Sequence, residues 1–160
     1  QRVHADNSRI FAHNPQSYYG NPYMSRKEYG VNLWRSGYDG AMPYVYQHGC
    51  NFIWNSFDKK HCYDGYYALP TVDGVIDTLQ WEAFRQATND VKYLRTLEYW
   101  SEKSCSLIPE KSCVACREAK NYLSQLKEKA PLDLGQMRLK LIELINRIQQ
   151  VSAQPKGPGD

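Results

Sequence analysis

The side chains with the most chemical potential in this 160-residue chain lie between Gln47 and Asp77, where Phe52, Trp54, Phe57, Tyr63, Tyr66 and Tyr67 are interspersed with Asp58, Asp64 and Asp73. Flat rings beside a few polar groups suit a sugar: Trp54, Phe57 and Tyr63 can stack on a pyranose face while Asn55 or Asp58 exchanges hydrogen bonds with hydroxyls. The same rings can equally fill a core, the usual place for large side chains. His13, His48 and His61 are chemically able to act as general bases, but a histidine among aromatics is as often a hydrogen-bonded structural group. Cys113-x-x-Cys116 with Cys105 nearby has a spacing that can chelate zinc or cycle through a disulfide. No His follows it, all four histidines precede residue 62, and there is no second Cys pair. Buried or disulfide-paired cysteines at a helix start are therefore the reading, with no metal and no cofactor expected.

These residues need elements to position them. Arg9-Ile-Phe-Ala-His13 is a short apolar run ending at the turn signal Asn14-Pro15, which predicts a strand. Asn21 can cap a helix that starts at Pro22 and closes on Gly37, the residue best suited to a left-handed C-terminal cap. Tyr23, Lys27, Gly30, Val31 and Trp34 are expected on one face of it. Ala41–Tyr46 predicts a second strand, with Pro43 at its beginning because proline cannot donate within a ladder. Strand, helix and strand make a βαβ unit, whose strands are normally parallel. The following segment, about 30 residues from Gln47 to Asp77, is far longer than typical connections and is expected to be a functional loop.

Asp77 or Thr78 can then cap a long helix whose Trp81, Phe84, Ala87, Val91, Leu94 and Leu97 form one apolar stripe. Two further helices should form a hairpin around Pro131. Ala115, Ala119, Tyr122, Leu123 and Leu126 line the first, and Leu134, Met137, Leu141, Ile145 and Ile148 the second. The Pro- and Gly-rich end, residues 154–160, should fray.

Composition narrows the function classes. Aromatic residues divide the chain, since 20 of 21 fall at or before Trp100 and only Tyr122 follows. This gives a boundary near residue 100, with 1–100 as one part, 101–153 as a helical extension and 154–160 as a tail. The formal charge of +3 arises in the last 60 residues and forms no basic stripe, so no nucleic-acid partner is expected. No run approaches the roughly 20 apolar residues of a membrane span. The odd count of five cysteines leaves the compartment open, an extracytoplasmic one included.

Two segments are familiar: Tyr29-Gly-Val-Asn-Leu-Trp-Arg-Ser-Gly-Tyr-Asp-Gly40, and Tyr67 to Arg85 continuing through Asp90-Val-Lys-Tyr-Leu94. Together they resemble the C-terminal region of glycoside hydrolase family 123 and related glycoside hydrolase-like proteins. The resemblance implies an α/β fold, the last two strands and helices of a (β/α)8 TIM-type barrel followed by the helical hairpin. It implies removal of N-acetylgalactosamine from glycans, and so N-acetylhexosaminides as the substrate class, with the rest of the barrel and the catalytic residues upstream of Gln1. In such a barrel the cleft lies at the C-terminal strand ends, which places His13, Asn14, Gln16, Tyr46, Gln47 and His48 beside the sugar together with Trp54 and Asp58. Trp81, Glu82, Arg85, Asp90 and Tyr93 are expected to dock the closing helix on the barrel. The family relies on an adjacent Asp-Glu pair, and this chain contains no two adjacent acidic residues. The chain is thus expected to supply one wall of the cleft of a carbohydrate-active hydrolase without its catalytic pair. The alternatives are a non-catalytic carbohydrate-binding or structural barrel module and a helical interaction domain.

Overall fold

The computed structural model describes residues 7–14, 21–43, 46–48, 65–107, 114–129, 131 and 133–153. Contacts divide the chain into two compact units, residues 1–89 and 90–160, with the boundary inside a single long helix.

The first unit begins with β1 (Phe11–Asn14) and β2 (Gly40–Pro43), which pair in parallel with Phe11 opposite Gly40 and Asn14 opposite Pro43. Asp39 fixes their entry. Its carboxylate accepts from the Ile10 N–H at 2.7 Å, while its own N–H donates to the Ile10 carbonyl at 2.8 Å. Between the strands run α1 (Pro22–Lys27), a π-helical turn (Glu28–Asn32) and α2 (Leu33–Ser36). Asn21 caps this run by accepting the Met24 N–H at 3.1 Å, Pro22 opens it, and Gly37 ends it in the left-handed conformation at φ 72°. The π turn inserts one residue into the helical count. Tyr29, Gly30, Val31 and Trp34 are consequently buried, whereas Tyr23, expected on that face, is exposed. Gly30 sits where an added Cβ would touch the backbone of Ala87 at 3.4 Å, so the chain approaches the long helix closely at this turn.

The segment from Gln47 to Asp77 is not one loop. β3 (Gln47–His48) pairs antiparallel with β4 (Gly65–Tyr66), and β5 (Ala68–Pro70) pairs antiparallel with β6 (Val75–Asp77). Pro43 closes β2 rather than opening it, which suits a residue without an N–H to give.

The expected barrel end is overturned. Helices hold most of the described residues, and the strands form three separate two-stranded sheets, of which only β1–β2 is parallel. A (β/α)8 barrel requires parallel strands joined edge to edge and covered on both sides. Here β1 and β2 have four residues each, and their Phe11 and Met42 side chains are about half exposed. The strand–helix–strand order was legible in the sequence, but it does not carry a barrel.

The second unit is helical: the later part of α3 (Leu79–Leu107), α4 (Val114–Glu128) and α5 (Leu134–Ala153). Leu94, Leu97, Ala119, Leu126, Met137, Leu141, Leu144 and Ile148 are buried, as three- and four-residue spacing requires. Ion pairs tie the helices pairwise: Asp90 to Arg138 at 2.6 Å, Glu118 to Arg147 at 2.6 Å, and Glu98 to Lys127 at 3.9 Å. Tyr122 on α4 is half-buried, and loss of water pushes its phenol above the usual range. No described helix is long and apolar enough to cross a membrane.

Candidate functional site

In the first unit, aromatic side chains from α3, the π turn and the connections at Tyr46 and Tyr67 converge beside the end of β2. Thr78 organises them. Its hydroxyl oxygen accepts the Trp81 N–H at 3.3 Å and so starts α3, while the hydroxyl donates to the Tyr67 carbonyl at 3.0 Å. Tyr67 donates its own N–H to the Tyr46 carbonyl at 2.9 Å. This chain of bonds holds Tyr46, Tyr67 and the first turn of α3 in one place. Trp81 and Phe84, three residues apart on that helix, stack at 6.3 Å. The rings of Tyr46 and Tyr67 meet Trp81 edge-on at 6.1 Å and 6.4 Å, and Tyr67 meets Phe84 at 5.8 Å. On the other side of Phe84 stands buried Tyr29, at 5.2 Å.

The four rings, with Met42 and Pro43 of β2, line a cleft of about 330 Å³. Met42 and Tyr46 are more than a third exposed and stand at its mouth, whereas Tyr67 is buried at its base. None of its lining residues carries a charge at neutral pH, and the polar atoms its side chains can offer are two phenol oxygens and an indole N–H. Such a wall can bind a flat, mostly neutral ligand and orient it through few hydrogen bonds. Among the described residues that line it, none carries a carboxyl group. A second cavity of about 160 Å³ lies between the strands and the π turn. Among its described lining residues Glu28 is the acid, and its carboxylate accepts from the Asn32 amide at 2.8 Å.

Tyr46 lies at the cleft. Asn14 ends β1 opposite Pro43, and Gln47 and His48 form β3, where they pair with Tyr66 and Gly65; these three side chains are outside the described set, as are Trp54, Asp58, Asn55, Phe57 and Tyr63 altogether. His13 is exposed on β1. Of the residues expected to dock a closing helix on a barrel, Trp81 instead builds the cleft. Glu82 and Arg85 pair with each other on the surface through two 2.7 Å bonds, and the Glu82 carboxylate pushes the guanidinium of Arg85 further up. Asp90 and Tyr93 hold Arg138 of α5, whose guanidinium lies 6.0 Å from the Tyr93 ring. From the sequence, Tyr67 reads as a loop aromatic and Phe84 as part of a core stripe. The signal that joins them is the Trp81-x-x-Phe84 spacing next to a capping Thr, which sets both rings on one face.

Cys116 is buried in α4, and the Cys105 and Cys113 side chains are outside the described set. Among the described residues, no group of three or more His, Cys, Asp or Glu is arranged to hold a metal ion. No family model, curated protein or solved structure matches this chain.

Proposed function

We propose that the chain is a glycan-contacting part of a carbohydrate-active, glycoside hydrolase-like protein, and that the cleft of Tyr46, Tyr67, Trp81 and Phe84 is the wall on which a sugar ring lies. The observation that carries this reading is the convergence of four rings around an uncharged cleft of about 330 Å³, a volume that accommodates a monosaccharide. A pyranose offers an apolar C–H face to a ring and hydroxyls to phenol and indole groups, which is the chemistry this lining can answer. The likeness of residues 29–40 and 67–94 to glycoside hydrolase family 123 adds N-acetylhexosaminides as the first ligands to try. The role proposed is binding: the described lining residues offer rings, phenols and an indole N–H, and the sequence has no adjacent acidic pair.

Isothermal titration of the chain with aryl N-acetylhexosaminides tests it. Saturable binding is expected, weakened about 5- to 10-fold by Tyr46→Ala, the loss of roughly 1 kcal/mol for one ring contact. Tyr46 is half exposed, so the variant should fold normally. Affinity unchanged by Tyr46→Ala, or no binding at all, would reject the cleft as a sugar site and leave the rings as core.

A further inference from the structure

The β5–β6 hairpin carries a surface that the aromatic cleft does not use. Two backbone bonds bracket its ladder: Thr71 N–H to the Gly74 carbonyl at 2.8 Å, and Thr78 N–H to the Tyr67 carbonyl at 3.1 Å. Between them the register sets Pro70 opposite Val75, Leu69 opposite Ile76 and Ala68 opposite Asp77. Hydrogen-bonded and non-bonded pairs alternate along an antiparallel ladder. Gly74, Ile76 and Thr78 therefore turn their backbone groups towards β5, and Val75 and Asp77 turn theirs outward. Among the described residues no strand pairs with that outer edge.

The strand is also bare on both faces. Val75 is 54% exposed and Ile76 51%, with Val72 at the turn and Leu79 beyond the strand exposed as well. An edge with outward N–H and C=O groups and uncovered apolar side chains is a template for strand addition. Charge gives the added strand its chemistry. Asp77 shares the face of Val75 by the two-residue period, Asp73 flanks it from the turn, and neither aspartate forms an ion pair among the described residues.

We propose that the β6 edge docks an extended peptide segment with a basic-x-apolar-x-basic pattern, added as a strand along Val75–Asp77. Main-chain bonds to Val75 and Asp77 supply affinity, the apolar residue covers Val75, and the two cations answer Asp73 and Asp77. A second copy of this chain is the wrong occupant, because joining two β6 edges brings the aspartates of one beside those of the other, a destabilising arrangement.

Fluorescence anisotropy tests this with a labelled peptide Ser-Lys-Thr-Val-Thr-Lys-Ser and an analogue carrying Glu in place of both Lys. The basic peptide should bind saturably and the acidic one should not. Val75→Pro removes an outward N–H and no ladder bond, and should weaken binding about tenfold, as loss of one or two backbone bonds implies. Asp73→Lys lies outside the paired residues of the ladder and should weaken binding by a similar factor. Equal binding of both peptides, binding indifferent to Asp73→Lys, or sedimentation showing that the chain pairs with itself through β6 would each overturn the proposal.

Discussion

Asp90 is 1% exposed, and a carboxylate so far from water persists only with a well-placed cation. Arg138 provides it from two nitrogens, Nε and Nη2, each 2.6 Å from the same Oδ1, with the ring of Tyr93 flanking the guanidinium. Arg138→Ala takes this cation from a buried carboxylate and should destabilise the helical unit by about 3 kcal/mol. The urea midpoint reads this, with an unchanged slope. Arg138→Lys should recover only part of the loss, because an ammonium cannot reproduce the planar fork. A midpoint indifferent to both changes would mean that Asp90 is hydrated. The sequence showed Asp90 and Tyr93 on one helix and gave them a docking role. It did not show the partner 48 residues away, since no local pattern links two charges at that separation.

At the scale of elements, the parts governed by local backbone chemistry were legible and the parts governed by neighbours were not. The caps at Asn21 and Gly37 stand where side-chain and φ preferences put them. Gly37 has φ 72°, with nothing within 4 Å of an added Cβ, so Gly37→Ala tests the backbone alone. It should cost about 1 kcal/mol, seen as a lower melting temperature, while Gly37→Asn should cost less. An unaltered melting temperature for Gly37→Ala would show that the α2 end is frayed in solution. The π turn at Glu28–Asn32 was not legible; its Gly30 packs against Ala87, 57 positions further on, a contact that no local pattern announces. The same holds for β3 to β6: two- and three-residue strands lie below the length at which alternation can be recognised. The cleft was half legible, with Tyr46 chosen for its strand-end position and Trp81 given a packing role.

For the whole molecule, the barrel expectation failed because a βαβ order fixes the hand and direction of two strands and nothing about how many others join them. The chain instead divides into an aromatic unit through Asn89 and a helical unit from Asp90, both served by α3. The ring cluster of the first unit is proposed as a ligand surface. Chemical-shift mapping by two-dimensional NMR on the intact chain, titrated with an aryl N-acetylhexosaminide, addresses it most directly. Among the four tryptophans, the indole N–H of Trp81 should move, together with the amides of Met42, Tyr46 and Tyr67, and the shifts should saturate in parallel. Shifts centred elsewhere with Trp81 unmoved, or none at millimolar sugar, would contradict the claim and return the four rings to the role of a hydrophobic core.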